Sequence, residues 1–248
     1  MIYDDYLYQA ELQRWVLEAD IAWSQVDVAL ALKQPELLEE VRDSAIIESY
    51  FPLYTMKLVQ AIWDRVDATA VFSIQLYESY KHFYALNRYL EIVGYRPLEE
   101  ADIVETRRKN LDQPVPEAIA ELTRYMMSEH FAAYFFMRLS RQAREPVLQQ
   151  LAAWIAKDEV RHAQFAFDLL SARLREDPSV SSRILDAALN FRHVGADVVD
   201  QVPVAEKNEL GAILSINKKI ERLCGKKMTA HAQDQIRNQR KDHHHATI

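Results

Sequence analysis

Glycine, proline and cysteine are scarce in this chain of 248 residues, and each scarcity excludes a type of structure. Only 4 glycines and 8 prolines break the chain, and no convincing run has the two-residue period of a strand, so an all-α protein is expected. The single cysteine, Cys224, excludes an intrachain disulfide and suits a reducing cytoplasm. The sequence also lacks an apolar run of the roughly 18 residues that a membrane-spanning helix needs.

An excess of basic residues is absent as well. The formal net charge is −7, which argues against general affinity for nucleic acid. The first five residues lack the basic and apolar regions of a signal peptide. Together with the missing disulfide and membrane span, these features predict a cytoplasmic protein without a nucleic-acid partner.

What the chain does contain is enough apolar sequence for one large domain. Hydrophobic residues make up 49% of it, which suits a single core in a chain of this length. We predict one helical domain over residues 1–224 and a polar, disordered tail over 225–248, which includes His243, His244 and His245. The predicted helices cover about 1–30, 35–66, 68–93, 97–110, 116–143, 146–175, 178–200 and 204–224, the third of them ending at Gly94.

One helical segment contains the run Asp158-Glu159-Val160-Arg161-His162. Glu159 and His162 are three residues apart, so one helix face presents a carboxylate and an imidazole together. Helical bundles build two-metal sites from such pairs: two helices each give a Glu, and two others each give Glu-x-x-His. Taken alone, the run is equally well explained as a surface charge cluster.

A second run, Glu78-Ser79-Tyr80-Lys81-His82, repeats the form of the first with its acid, its basic residue and its His. Glu48 precedes His82 by 34 residues, and Glu129 precedes His162 by 33. Both glutamates lie in strongly apolar surroundings, where a carboxylate is costly unless it is paired or bound to metal. Two matched helical hairpins with these spacings favour a two-metal site over chance.

These residues resemble the soluble acyl-carrier-protein desaturases of the ferritin-like di-iron superfamily. That family's second motif, Asp-Glu-x-Arg-His, is intact at 158–162, and its first is altered at 78–82. The likeness extends over about residues 40–200. It implies a ferritin-like four-helix bundle with flanking helices, two Fe²⁺ ions (with Mn as an alternative), O₂ as co-substrate and a homodimer. It also implies a ferredoxin-type electron donor and an acyl chain carried on an acidic carrier protein.

Two positions depart from that family. Ser79 stands where the family has a metal-bridging glutamate, and a neutral hydroxyl is a poor ligand beside carboxylate and imidazole. We hypothesise that Glu78, which lies four residues before His82 on the same face, takes over this role. Ala132, three residues after Glu129, stands where a threonine is expected near the O₂ site. The predicted metal ligands are therefore Glu48, Glu78, His82, Glu129, Glu159 and His162.

Other residues have a functional and an ordinary interpretation. Asp158 is the natural partner for a ligand imidazole, whose tautomer it would fix, although an exposed helical Asp explains it nearly as well. Tyr80 is a candidate for redox chemistry, and its ordinary role is core packing. A basic stripe near a helix C-terminus is a candidate docking site for an acidic carrier protein, with dipole compensation as the ordinary reason. This stripe comprises Arg138, Arg141 and Arg144, with Lys218, Lys219 and Arg222 as further candidates.

Three functional hypotheses follow. The leading one is a di-iron, O₂-dependent oxidoreductase that desaturates or hydroxylates a carrier-tethered acyl or aminoacyl group. The second is a metal-poor homologue that acts as a binding partner. The third is an oxygenase or N-oxygenase of the same superfamily that acts on a free small molecule. Metal content separates the first two, and the identity of the oxidised substrate separates the first from the third.

Overall fold

The computed structural model describes residues 2–203 and 209–245, and those ranges contain helices without strands. This confirms the all-α prediction. Within the same ranges, no helix is sufficiently long and apolar to cross a membrane. The α-helices are, in chain order, α1 (Ile2–Gln13), α2 (Leu17–Asp20), α3 (Val28–Ala31), α4 (Pro35–Ala61), α5 (Val66–Val93), α6 (Glu100–Arg108), α7 (Ala118–Gln142), α8 (Pro146–Glu176), α9 (Val180–Leu189), α10 (Glu209–Cys224) and α11 (Met228–His245).

Four long helices form a bundle of two hairpins, in which α4 packs along α5 and α7 packs along α8. Local sequence explains where they begin and end. Proline occupies the first turn of α4 and of α8, where its missing N–H costs no helical hydrogen bond. Gly94 ends α5 with a φ of 72°, a left-handed conformation that glycine adopts without a steric penalty. The Glu145 carboxylate accepts from the backbone N–H of Leu148 and so caps α8.

The bundle core is divided into two apolar clusters with a polar layer between them. Tyr54, Phe72 and Phe165 belong to one cluster. Phe83 and Phe136 belong to the other. Each long helix contributes to both clusters and carries its buried acidic or imidazole groups near its middle. The fold therefore places four helical segments of polar residues at one level, away from water.

The first 30 residues do not form the single helix that we predicted. They form α1, then the short α2, a 3₁₀ turn and α3. The chain leaves the helix around Trp15, whose side chain is buried with 5% exposure against the bundle. The indole N–H of Trp23 donates to the carbonyl of Leu17 at 2.7 Å, and the Asp27 carboxylate accepts from the N–H of Leu30 at 2.9 Å. Burying both tryptophans on one side therefore competes with a continuous helix.

The C-terminal prediction is also corrected. Residues 225–248 were predicted to be disordered, but Met228–His245 is a helix. It packs on α9, where His231 Nε2 lies 2.6 Å from Asp186 Oδ1. Residues 204–208, the start of a predicted helix, lie outside the described residues.

Candidate metal centre

The structure brings together five of the six predicted ligands in the polar layer. Each is buried, with at most 5% of its surface exposed. They form two groups whose potential ligand atoms lie within 4.8 Å of one another. The first group is Glu48 of α4, His82 of α5 and Glu159 of α8, and the second is Glu129 of α7 with Glu159 and His162 of α8.

Glu159 belongs to both groups because its two oxygens face different imidazoles. Its Oε1 lies 3.0 Å from His82 Nδ1, and its Oε2 lies 3.1 Å from His162 Nδ1. A carboxylate placed in this way can bind one ion with each oxygen. Glu159 is therefore in position to bridge two metals.

Glu48 and Glu129 stand at the outer ends of the cluster. Glu48 Oε2 lies 3.7 Å from His82 Nδ1, whereas Glu129 Oε2 lies 3.0 Å from His162 Nδ1. We call Glu48 with His82 the α4/α5 half-site, and Glu129 with His162 the α7/α8 half-site. The two half-sites share Glu159.

The Nε2 atom of each imidazole, His82 and His162, contacts an acid of the other hairpin. His82 Nε2 lies 3.0 Å from Asp158 Oδ2, and His162 Nε2 lies 2.8 Å from Glu78 Oε2. Because an ionised carboxylate only accepts, each Nε2 carries the proton. The lone pair of each neutral imidazole is then on Nδ1, which faces the carboxylates. In histidine metal sites, an acid that contacts the other ring nitrogen fixes the tautomer in this way.

Glu78 is the one predicted ligand that the structure does not bring into the cluster. It lies behind His162, and Arg161 Nη2 holds its Oε1 at 2.5 Å. The hydroxyl of Tyr6 donates to its Oε2 at 3.2 Å. The Glu78 side chain, four residues before His82, reaches across to α8. The hypothesis that Glu78 replaces the missing bridging ligand is therefore not supported. Its place is equivalent to that of Asp158.

Asp158 lies in a dense network of donors. Arg161 Nη2 is 2.8 Å from its Oδ1, and the indole N–H of Trp15 donates to its Oδ2 at 2.9 Å. Lys81 Nζ is 3.7 Å from the same Oδ2. Arg161 thus contacts both Asp158 and Glu78. The sequence did not predict that these basic residues pair with the acids, although both runs have a basic residue at the same position.

The cluster has strongly perturbed titration behaviour. Burial and repulsion by Glu159 raise the pKa of Glu48 and Glu129 above the usual range. Burial opposes ionisation of Glu159 as well, but the neighbouring imidazoles outweigh it and lower its pKa. Burial disfavours the charged imidazoles, yet the surrounding acids raise the pKa of both His82 and His162. Without metal, protons therefore provide the positive charge that balances these carboxylates.

An orphaned atom tests whether a metal fits. The buried His82 Nδ1 has no hydrogen-bond partner among the described residues. Glu159 Oε1 is 3.0 Å away, but the two atoms are not aligned for a hydrogen bond. In the neutral imidazole this atom carries the lone pair. A cation can therefore bind between it and the carboxylates, in place of the proton that balances them without metal. Three carboxylates and two imidazoles are also a donor set that iron and manganese accept. The residues present therefore fit a metal pair.

Ser79 is 2% exposed and lies one turn before His82 on α5. Its Oγ accepts from Gln75 Nε2 at 2.9 Å, and Gln75 Oε1 accepts from Thr55 Oγ1 at 3.0 Å. This position matches that of Glu159, three residues before His162. The α5 counterpart of the bridging carboxylate is therefore a hydroxyl held by a buried polar chain.

A narrow cavity adjoins the carboxylate side of the cluster. Its volume is about 30 Å³, which holds one or two water molecules. Its walls are mostly apolar, and Ala132 belongs to them, so no threonine hydroxyl faces it there. Its lining residues include Glu48, Glu129 and Glu159 together with Phe51, Phe131, Phe135 and His193. Burial lowers the pKa of His193 to about 4, so this imidazole is neutral near neutral pH.

Two further predicted residues lie away from the cluster. The Tyr80 hydroxyl accepts from Arg107 Nη2 at 2.6 Å, on the side of α5 that faces α6. Arg138 is 7% exposed and bonds Glu40 Oε2 at 3.0 Å, so it does not extend a surface stripe with its neighbours on α7. Tyr80 lies away from the cluster because it is two residues from His82, which places it on the opposite side of α5.

No family model matches the chain, and no curated protein matches it significantly, whereas solved structures do. One similar structure is a variant of an R2-like ligand-binding oxidase with an anaerobically reconstituted Mn/Fe cofactor. It has 19% identity and a TM-score of 0.59, over 90% of this chain and 92% of that one. A second variant of such an oxidase has 18% identity and a TM-score of 0.56, over 94% and 92%. This likeness shows a ferritin-like helical fold, as predicted.

Proposed function

We propose that this protein is an O₂-dependent oxidoreductase with a two-metal centre. One observation carries the proposal: Glu159 lies between the Nδ1 atoms of two buried histidines, each of which has a further glutamate beside it. Bound metals would supply O₂ activation and the oxidising power for the reaction. The structural neighbours carry Mn/Fe cofactors, which supports an iron–manganese pair, whereas two irons stay a prediction.

The side chains have distinct tasks in this proposal. Glu48 and His82 would hold one ion, Glu129 and His162 would hold the other, and Glu159 would contribute to both. Asp158 and Glu78 fix the imidazole tautomers from outside. Burial of the whole cluster excludes bulk water, which protects a reactive oxidant from quenching.

We infer a small, mostly apolar free molecule as the substrate, which the cavity admits only when its walls move. The aromatic walls give no charged anchor apart from the ligand carboxylates themselves. A volume of about 30 Å³ does not hold a long acyl chain unless the walls move. The neighbours are described as ligand-binding oxidases, which also favours a bound small molecule over a carrier protein. Homodimerisation, the ferredoxin-type donor and the carrier protein stay predictions.

Reconstitution tests the proposal directly. The purified chain is loaded anaerobically with Fe²⁺, Mn²⁺ or both, then exposed to O₂ while metal content and O₂ uptake are measured. We expect bound metal and rapid O₂ uptake with iron present. Glu159→Ala should lose both, while the exposed neighbour Val160→Ala should lose neither. Stable folding with no bound metal under every loading condition would favour the metal-poor binding protein instead.

A further inference from the structure

The cavity beside the carboxylates has walls of two kinds. Residues of α4, α7 and α8 form most of its lining and belong to the long helices of the bundle. The remaining wall comes from residues 190–203, which follow α9 and contain a 3₁₀ turn at Val194–Asp197. We call residues 190–203 the strap. His193, Val202 and Pro203 of the strap line the cavity and are only partly buried, so the strap lies between the cavity and water.

Arg124 of α7 fastens the strap on both sides of its turn. Before the turn, Arg124 Nε donates to the carbonyl oxygen of Arg192 at 2.9 Å, and Nη2 donates to that of His193 at 3.4 Å. At the end of the turn, Nη2 donates to Asp197 Oδ2 at 2.7 Å. Asn110 Nδ2 also donates to the carbonyl oxygen of Asp197, at 3.2 Å. One guanidinium therefore holds three points of the strap against α7, with a planar fork that a lysine cannot reproduce.

A further hydrogen bond and a close contact hold the middle of the strap. Ser128 Oγ of α7 accepts from the N–H of Val194 at 3.0 Å. On the α4 side, Gly195 lies directly against Ile47, because a Cβ at position 195 would come within 2.6 Å of Ile47 Cδ1. Glycine therefore lets the strap close onto α4, and a larger residue there would hold the strap away.

The strap is the wall that can move at the smallest cost. The walls from α4, α7 and α8 are helices, and displacing them would break backbone hydrogen bonds and core packing. The strap is instead held by side chains near the surface. Those of Arg124 and Asp197 are 23% and 17% exposed, so water can replace their hydrogen bonds. A cavity of about 30 Å³ has room for one or two water molecules, so a substrate requires a wall to open.

We infer that the strap is the gate through which substrate reaches the carboxylates of the cluster, and that Arg124 is its latch. The inference rests on the proposed function and names the wall that moves. Arg124 acts through the strap, so it is a positioning residue. Closing of the strap after entry excludes water from the site.

Thiol labelling of the metal-free protein tests the gate without a measurement of activity. Ala132→Cys places a thiol on the cavity wall, and Cys224 of α10, which is partly buried, is a reference thiol in the same chain. The reagents are methyl methanethiosulfonate, which is small, and dithionitrobenzoate, which is bulky. Adding Arg124→Ala should speed labelling of the cavity thiol by the bulky reagent about 10- to 100-fold, because hydrogen bonds to a charged group are lost. The small reagent should gain less, and Cys224 should keep its rate.

Three further variants sharpen the result. Gly195→Val leaves the latch intact but adds a side chain against Ile47, so it should open the strap and speed labelling as Arg124→Ala does. Arg124→Lys keeps the charge without the fork and should give an intermediate rate. Arg65→Ala removes an exposed ion pair with Glu176 and should leave the labelling of both thiols unchanged.

The outcomes are distinguishable. Unchanged labelling of the cavity thiol in both Arg124→Ala and Gly195→Val would overturn the gate and leave the two-metal function intact. Equal acceleration at the cavity thiol and at Cys224 would also overturn it, because the whole fold would then have loosened. Faster labelling of the cavity thiol alone, in a chain that binds no metal after loading, would support the moving strap and overturn the proposed function. Circular dichroism checks that each variant is folded. If Arg124→Ala is not, Gly195→Val and Arg124→Lys decide the test.

Discussion

The two half-sites contain the same residue types but differ in how they are completed. In the α7/α8 half-site, Glu129, Glu159 and His162 come from one hairpin, and both carboxylates lie within 3.1 Å of the imidazole. In the α4/α5 half-site, Glu48 is 3.7 Å from His82, and the nearer carboxylate is Glu159 of the other hairpin. One half-site is therefore self-sufficient, whereas the other depends on a borrowed ligand.

This difference predicts unequal metal affinities. The α7/α8 half-site has two carboxylates of its own and should bind the first ion. The α4/α5 half-site has Ser79 where the α7/α8 half-site has Glu159, so it should bind the second ion more weakly. The comparison teaches that one side chain can separate two otherwise matched sites into a tight and a weak one.

Removing the shared ligand should have the largest effect. Glu159→Ala takes a carboxylate from both half-sites, so the affinity for both ions should fall by more than about 100-fold, beyond the usual cost of losing an outer-shell partner. Competitive titration with a chelator measures the two constants. If one ion stayed tightly bound in this variant, Glu159 would not be the bridge.

Glu129→Gln and Glu48→Gln separate the half-sites. Glu129→Gln should weaken the tight ion by about 100-fold, whereas Glu48→Gln should leave one tight ion and lose the weak one, by the same reasoning about ligand loss. Mn²⁺ EPR gives the number bound at each concentration. Equal losses in the two variants would contradict unequal half-sites.

The acids behind the imidazoles should have smaller effects, of about 10- to 100-fold in metal affinity. Glu78→Ala should weaken the α7/α8 half-site, because Glu78 holds His162. Asp158→Ala should weaken the α4/α5 half-site, because Asp158 holds His82. Glu78→Gln is the matched control, since its amide oxygen still accepts from the imidazole. Loss of the α4/α5 ion in Glu78→Ala would instead restore Glu78 as a direct ligand.

The smallest effect on metal is expected from the cavity wall. Ala132→Leu adds a side chain to a narrow space, which should slow O₂ uptake a few-fold while metal content stays unchanged. Overpacking should also cost about 1–3 kcal/mol of stability, which thermal unfolding measures. The exposed Val160→Leu is the control for surface change. Unchanged O₂ uptake would indicate that O₂ reaches the metals by another route.

The bundle and the convergence of five side chains were predictable from the matched spacings of the two hairpins and from the motif resemblance, because residues three apart on a helix share one face. Glu78 was not, since positions three and four residues before His82 share that face. Only the tertiary contacts with His162 and Arg161 show that it turns towards α8. The break at Trp15 was missed for a similar reason: local helix preference is overridden by burial of the indole against a distant helix. Tyr80 was expected near the metal site, but closeness to His82 in the sequence does not show which side of the helix a residue faces.

The contacts of α1 and the segment after it make the completion of this cluster depend on the synthesis of α8. Tyr6 reaches a partner 72 residues later in the chain, and Trp15 reaches one 143 residues later. The partner of Tyr6 is Glu78 of α5, and the partner of Trp15 is Asp158 of α8, so these contacts are complete only after α8 has been synthesised. Until α8 arrives, neither imidazole has both of its neighbours. Metal should accordingly enter only after α8 is in place, which leaves the choice of metal to the cellular pool present at that time.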